Sequence, residues 1–176
     1  MNNLVKIYLD ANFIFDHSKI ENMKEDEANA LEKLLDWSNK HKDNINFYTS
    51  EETKKEIENH KNVKKRAILK LYYNLITKVS KEKIIKSAIF NGAIFNSNTF
   101  NGSKEDSLYK KLKQLFDEDD AKHIFQAERN NLDYFLTLDN KTILNRIKKN
   151  LKEFEKLNLK IKIFSPSDLI NELKLE

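Results

Sequence analysis

VKIYLD, residues Val5 to Asp10, is the stretch on which the fold turns. It is a short apolar run without glycine or proline that closes on an acid, as a buried parallel strand does. INFYTS at Ile45–Ser50 has a similar build and closes on a hydroxyl, and YFLTLD at Tyr134–Asp139 closes on a second acid. KIKIF at Lys160–Phe164 is a further strand. Amphipathic helices are expected between these runs. Ile20, Met23, Ala28, Leu31, Leu34 and Leu35 give a helix over about residues 23–40. Val63, Ala67, Leu71 and Leu75 give another over 62–78, and helical spacing returns at about Lys104–Phe116. Strands alternating with helices predict an α/β fold on a parallel sheet. In such sheets ligands sit at the carboxyl ends of the strands, where Asp10 and Asp139 fall.

Helix starts are written in the capping residues. Ser50 can cap the helix after the second strand, and Asp117 can cap the one carrying Ala121, Ile124, Phe125 and Ala127. Acids at 118–120 suit that helix's dipole. A long Lys-rich helix is expected over about 140–156. Ser165-Pro166-Ser167-Asp168 reads as cap, N1 proline and capping-box acid of a terminal helix reaching about Leu173. Residues 84–103 break the pattern: they hold both glycines, with Phe90, Phe95 and Phe100 five apart, and read as a loop or an irregular hairpin. The phenylalanines could stack on unpaired bases, but packing in a core or an oligomer is the better reading. The lone Trp37 is expected against the core.

The chain has 176 residues, 39% of them hydrophobic and 34% charged, enough for one core under a heavily solvated surface. A single domain over 1–176, elaborated at about 61–105, is the expected organisation. No 18-residue apolar run crosses a membrane and no secretory signal opens the chain, so a cytoplasmic protein is expected. With no cysteine there are neither disulfides nor thiolate metal sites. The net charge of +4 is unevenly spread. Lys and Arg outnumber Asp and Glu by 11 to 3 over residues 54–86 and by 8 to 2 over 141–162, whereas acids lead by 11 to 6 over 1–53. The basic segments could meet a polyanion; solvated faces are the plainer reading.

Four acids stand where the strand and helix pattern could bring them together: Asp10, Glu56, Asp120 and Asp139. Crowded carboxylates repel, and a divalent cation resolves the repulsion. Hard oxygen donors suit Mg²⁺ or Mn²⁺, which keep waters and accept a phosphate oxygen. Each acid also has a plain alternative. Asp10 or Asp139 may only cap the following helix, Glu56 may only be a solvated helix residue, and Asp120 may only serve a helix N-terminus. Four such caps have no reason to share one sheet edge.

On these residues the chain resembles the PIN-domain nuclease family. YLDANFIFD is similar to its first motif, giving Asp10 and Asn12; TSEETKKEI to its second, giving Glu56. DDAKHIFQA resembles the third, giving Asp120 with Asp119 as the adjacent alternative, and YFLTLD the fourth, giving Thr137 and Asp139. Asp120 is favoured because Ile124 and Ala127 follow it on the same helical face. FSPSDLI resembles the family's last strand and helix. The resemblance implies a PIN-like three-layer domain with a central parallel sheet flanked by helices, holding Mg²⁺ or Mn²⁺. It implies an endoribonuclease that hydrolyses single-stranded RNA to a 5′-phosphate and a 3′-hydroxyl. Small members of VapC type are toxins neutralised by a partner antitoxin, commonly as homodimers. This chain is longer than those compact toxins, mainly through 61–105.

The expected roles follow. Asp10, Asp120 and Asp139 ligate metal directly or through water, and Glu56 holds a metal-bound water or a second ion. Asn12 and Thr137, with Asp119 nearby, orient carboxylates or waters. Lys54, Lys55, Lys65 and Arg66 would guide an RNA backbone. His123 reads as structural rather than as a general base. His17, His41 and His60 lack zinc-ligand spacing, and no Walker loop or GxGxxG occurs. The competing readings are a non-catalytic RNA-binding or scaffold protein of the same fold, and a nuclease of this fold acting on DNA. An aspartyl phosphotransferase is disfavoured, because Asn12 stands where that chemistry wants a second Asp.

Overall fold

Ile7 and Tyr8 are neighbours in sequence, point to opposite sides of a strand and are both fully buried, so the sheet that contains them is covered on both faces. In the computed structural model, which describes residues 4–11, 23–41, 44–64, 66–67, 69–70, 84–85 and 104–175 (backbone alone at 51–52, 84–85 and 104–106), that strand is β1 (Val5–Leu9). Its partners are β2 (Ile45–Ser50), β3 (Ile84–Ile85), β4 (Tyr134–Leu136) and β5 (Lys162–Phe164). The sheet order is β3-β2-β1-β4-β5, and every pairing is parallel. The helices are α1 (Glu25–Lys40), α2 (Glu51–Asn59), α3 (Lys104–Leu115), α4 (Glu118–Arg129), α5 (Asn145–Lys149), α6 (Leu151–Glu155) and α7 (Pro166–Leu173). A π-helical turn, Asn140–Leu144, joins β4 to α5.

Two apolar layers sandwich the sheet. On one face Tyr8, Tyr48 and Phe135 pack with Leu112 of α3, Ala121, Ile124 and Phe125 of α4, and Ile143 and Leu144 of the π-turn. On the other, Ile7, Ile45 and Leu136 pack with Ala30 and Leu34 of α1 and with Leu169 and Ile170 of α7; Trp37 lies partly buried there. The protein is therefore α/β, with helices on both faces of a parallel sheet. Burial at about 25 cal/mol per Å² of apolar surface drives both layers. Among the described residues no helix is long and apolar enough to cross a membrane.

The chain reverses direction across the sheet between β1 and β4. From β1 it winds outward to β2 and β3, then returns to the far side of β1 as β4 and continues to β5. Diverging connections leave a crevice beyond the carboxyl ends of the two central strands, the place where open α/β sheets receive ligands. The Asp10 amide donates to the Leu136 carbonyl at 3.0 Å and closes the floor of that crevice.

Several expectations require correction. The fourth strand stops at Leu136 instead of reaching Asp139, and β5 begins at Lys162 rather than Lys160. The Lys-rich helix over 140–156 is three pieces: the π-turn, α5 and α6, interrupted at Asn150. Asp117 precedes α4 but its side chain makes no capping bond; it pairs instead with Arg146, at 2.9 and 3.2 Å. Val63 is 64% exposed and Ala67 is exposed, whereas Leu69 is buried, so the apolar phase proposed for 62–78 is not the one the core uses. Ile84–Ile85 adds to β2 as a parallel strand, not a hairpin arm; residues 86–103, including Phe90, Phe95 and Phe100, lie outside the described residues.

Candidate functional site

The crevice at the β1–β4 switch is lined by three of the four expected acids. Asp10 follows β1 and is 2% exposed; Asp139 lies three residues beyond β4 and is 5% exposed. Asp120, in the first turn of α4, is partly buried, whereas Asp119 is exposed and pairs with Lys122 at 3.0 Å. The choice between the two adjacent acids thus resolves to Asp120.

Two threonines stitch these acids together. Thr137 Oγ1 donates to Asp10 Oδ2 at 2.6 Å and accepts the Asp139 amide at 2.9 Å. The Thr142 amide donates to Asp139 Oδ1 at 2.6 Å, and the Thr142 side chain hydrogen-bonds Asp120. Asp139 therefore does cap the following turn, as its plain alternative proposed, while also facing the other acids. Burial pushes the Asp120 carboxyl up from 3.8 to about 6; the Thr142 hydrogen bond opposes this, and the negative charges of Asp10, Asp139 and Asp117 add to it. The three carboxylates are electrostatic neighbours in a partly desolvated place.

Glu56 does not join them directly. Its Oε1 lies 2.8 Å from His123 Nε2, and the other His123 nitrogen, Nδ1, lies 2.6 Å from the Tyr8 hydroxyl. Tyr8 in turn donates to Ser50 Oγ at 2.7 Å, the same oxygen that accepts the Thr53 amide at the start of α2. This buried chain links β1, β2, α2 and α4. Burial alone would lower the His123 proton affinity, but the Tyr8 oxygen, the Glu56 hydrogen bond and charge, and the Asp10 charge raise it well above its ordinary value. The sequence reading left His123 as a structural residue without a partner. Its partners are separated from it by 67 and 115 residues, so no local spacing could have named them.

No family model matches this chain, and no curated protein and no solved structure matches it.

Among the other expected site residues, Asn12 and Lys65 lie outside the described residues. Lys54 and Lys55 are exposed on α2, and Arg66 Nη1 donates to the His60 carbonyl at 3.1 Å. Among the described residues no group of three or more His, Asp or Glu side chains is close enough, as it stands, to hold a metal ion. The donor set is nevertheless hard oxygen, the chemistry that suits Mg²⁺ or Mn²⁺. Rotation of the Asp120 and Asp139 side chains would be needed to bring it onto one ion. A separate cavity of about 290 Å³, lined by residues including Asp133, Lys160 and Lys162, lies at the opposite end of β4 and β5 and contains none of these residues.

Proposed function

We propose that this protein is a PIN-like, divalent-cation-dependent endoribonuclease whose cation-binding carboxylates are Asp10, Asp120 and Asp139. The observation that carries the reading is the state of Asp120. Its carboxyl is pushed up to about 6 by burial, against the Thr142 hydrogen bond and with the charges of Asp10 and Asp139, at the crevice where a parallel sheet receives ligands. Such crowding disfavours the folded apo state, and a bound cation offsets it.

Mg²⁺ or Mn²⁺ bound there would polarise a phosphoryl oxygen and lower the pKa of a water. The residues divide the remaining work. Thr137 fixes Asp10 by donating to Oδ2, and Thr142 fixes Asp139 and Asp120. Glu56, with Oε1 engaged by His123, keeps its second oxygen to orient a water rather than to ligate an ion. Lys54 and Lys55 offer positive charge to a phosphodiester backbone. The resemblance further implies a toxin restrained by an antitoxin, with homodimer formation as in small toxins of that type.

The test is cleavage of end-labelled single-stranded RNA by the purified chain with Mn²⁺ or Mg²⁺. Cutting should stop with EDTA and in Asp10→Asn, while the circular dichroism of that variant stays native. Equal activity of wild type and Asp10→Asn would sink the assignment. RNA binding that ignores EDTA, without cleavage, would point to a non-catalytic binding protein, and preferential cutting of single-stranded DNA would move the substrate.

A further inference from the structure

The connection after β4 is a π-helical turn in place of the long α-helix that its sequence suggests. The Leu144 amide reaches back to the Asp139 carbonyl at 3.0 Å and the Asn145 amide to Asn140, each spanning five residues. Turns of this width are rare and concentrate at functional sites. Ile143 and Leu144, buried against the Tyr8 face of the sheet, anchor this one. Its exposed side carries Thr142, the turn's lone hydroxyl residue.

Thr142 touches two of the three carboxylates with two different groups. Its amide donates to Asp139 Oδ1 at 2.6 Å, and its side chain is hydrogen-bonded to Asp120, which arrives on α4 from the other side of the crevice. The chemistry of that contact is selective. A lysine here would neutralise the acids and displace a cation. A hydroxyl donates a single hydrogen bond, carries no charge and leaves the remaining carboxylate lone pairs available.

We propose that Thr142 is the positioning residue of the acidic crevice, holding Asp120 and Asp139 in the relative orientation from which they bind a divalent cation. The proposal rests on the cation-dependent reading given above. It assigns to Thr142 a part different from that of Thr137, which joins Asp10 to the Asp139 backbone. Between them the two threonines would set all three carboxylates.

The experiment is direct Mn²⁺ binding to the full chain, followed by calorimetry and by the electron paramagnetic resonance signal of free Mn²⁺. Thr142→Val keeps the β-branch and the amide that serves Asp139, and removes only the hydroxyl. Its Mn²⁺ affinity should fall by about 10- to 100-fold, the usual loss when a group orienting a metal ligand is removed, with Thr142→Ser staying within about threefold of wild type. Should Thr142→Val fail to fold, Thr142→Ala is read in the same way. A merely structural threonine would change the unfolding midpoint and leave the affinity of the folded protein alone. If wild type binds Mn²⁺ and Thr142→Val binds it equally well, the proposal is overturned while the cation reading stands. If wild type binds no Mn²⁺ at millimolar concentration and cuts no RNA, the cation reading fails and this proposal falls with it.

Discussion

His123 Nε2 stands 2.8 Å from Glu56 Oε1, joining the helix after β2 to the helix that carries Asp120. The proton inventory around it is restrictive. With the Tyr8 hydroxyl spending its proton on Ser50, the Tyr8 oxygen accepts from His123 Nδ1, and a carboxylate at Nε2 can only accept. Both ring nitrogens then carry hydrogen, so the ring is an imidazolium, in keeping with its raised proton affinity. Asp10 adds negative charge from the crevice side, which couples this chain of bonds to the acids.

Removing the imidazole should be costly because it strands a phenol and a carboxylate. His123→Leu is expected to lower the unfolding free energy by about 2–3 kcal/mol in urea titration. Tyr8→Phe alone should cost about 1–2 kcal/mol, and the double variant should fall short of the sum by about 1 kcal/mol. Strict additivity would mean that the four residues do not act as a network.

Stability should depend on pH in two separate windows. Asp120 has its folded pKa raised from 3.8 to about 6, so protonation favours the fold: its contribution is complete below 3.8 and is lost as pH rises through about 6. His123 also has a raised folded pKa, so its contribution is complete below 6.5 and persists until pH passes its higher folded value. The metal-free protein should therefore lose thermal stability between about pH 4 and 6, and again well above 6.5. Asp120→Asn should erase the first loss and leave the second. Retention of both in that variant would show that Asp120 is not the group responsible.

Without metal, at pH 8, Asp120→Asn should stabilise the chain by about 2 kcal/mol, allowing for its partial contact with solvent. Asp119→Asn, which alters only an exposed pair with Lys122, should change stability by less than about 0.5 kcal/mol. Denaturant midpoints of the two variants decide this, and equal shifts would remove the distinction between the neighbouring acids.

The two helix starts should also respond differently. Ser50→Ala removes the acceptor for the Thr53 amide and for Tyr8, and should cost about 1–2 kcal/mol. Asp117→Ala removes no capping bond, only an exposed pair with Arg146, and should cost less than about 0.5 kcal/mol. A larger loss at Asp117 than at Ser50 would contradict the capping geometry.

Local chemistry alone determined much of this protein. Apolar runs that close on Asp10 and Ser50, and Ser165 beside Pro166, set strands and helix starts through side chains acting on their own neighbours, and β2, α1 and α7 fall close to where those signals put them. The parallel α/β class follows from their alternation. Tertiary structure decided what depends on partners remote in sequence. Asp117 left its cap for Arg146, the lysine-rich segment broke into a π-turn and two short helices, and Glu56 went to His123. Asp120 rather than Asp119 faces the crevice because α4 turns its apolar side, Ala121, Ile124 and Phe125, onto the sheet, and that rotation is a property of packing. Hydrogen bonds spanning 67, 115 and 127 residues leave no spacing in the sequence, since only the closed sheet brings their ends within 3 Å.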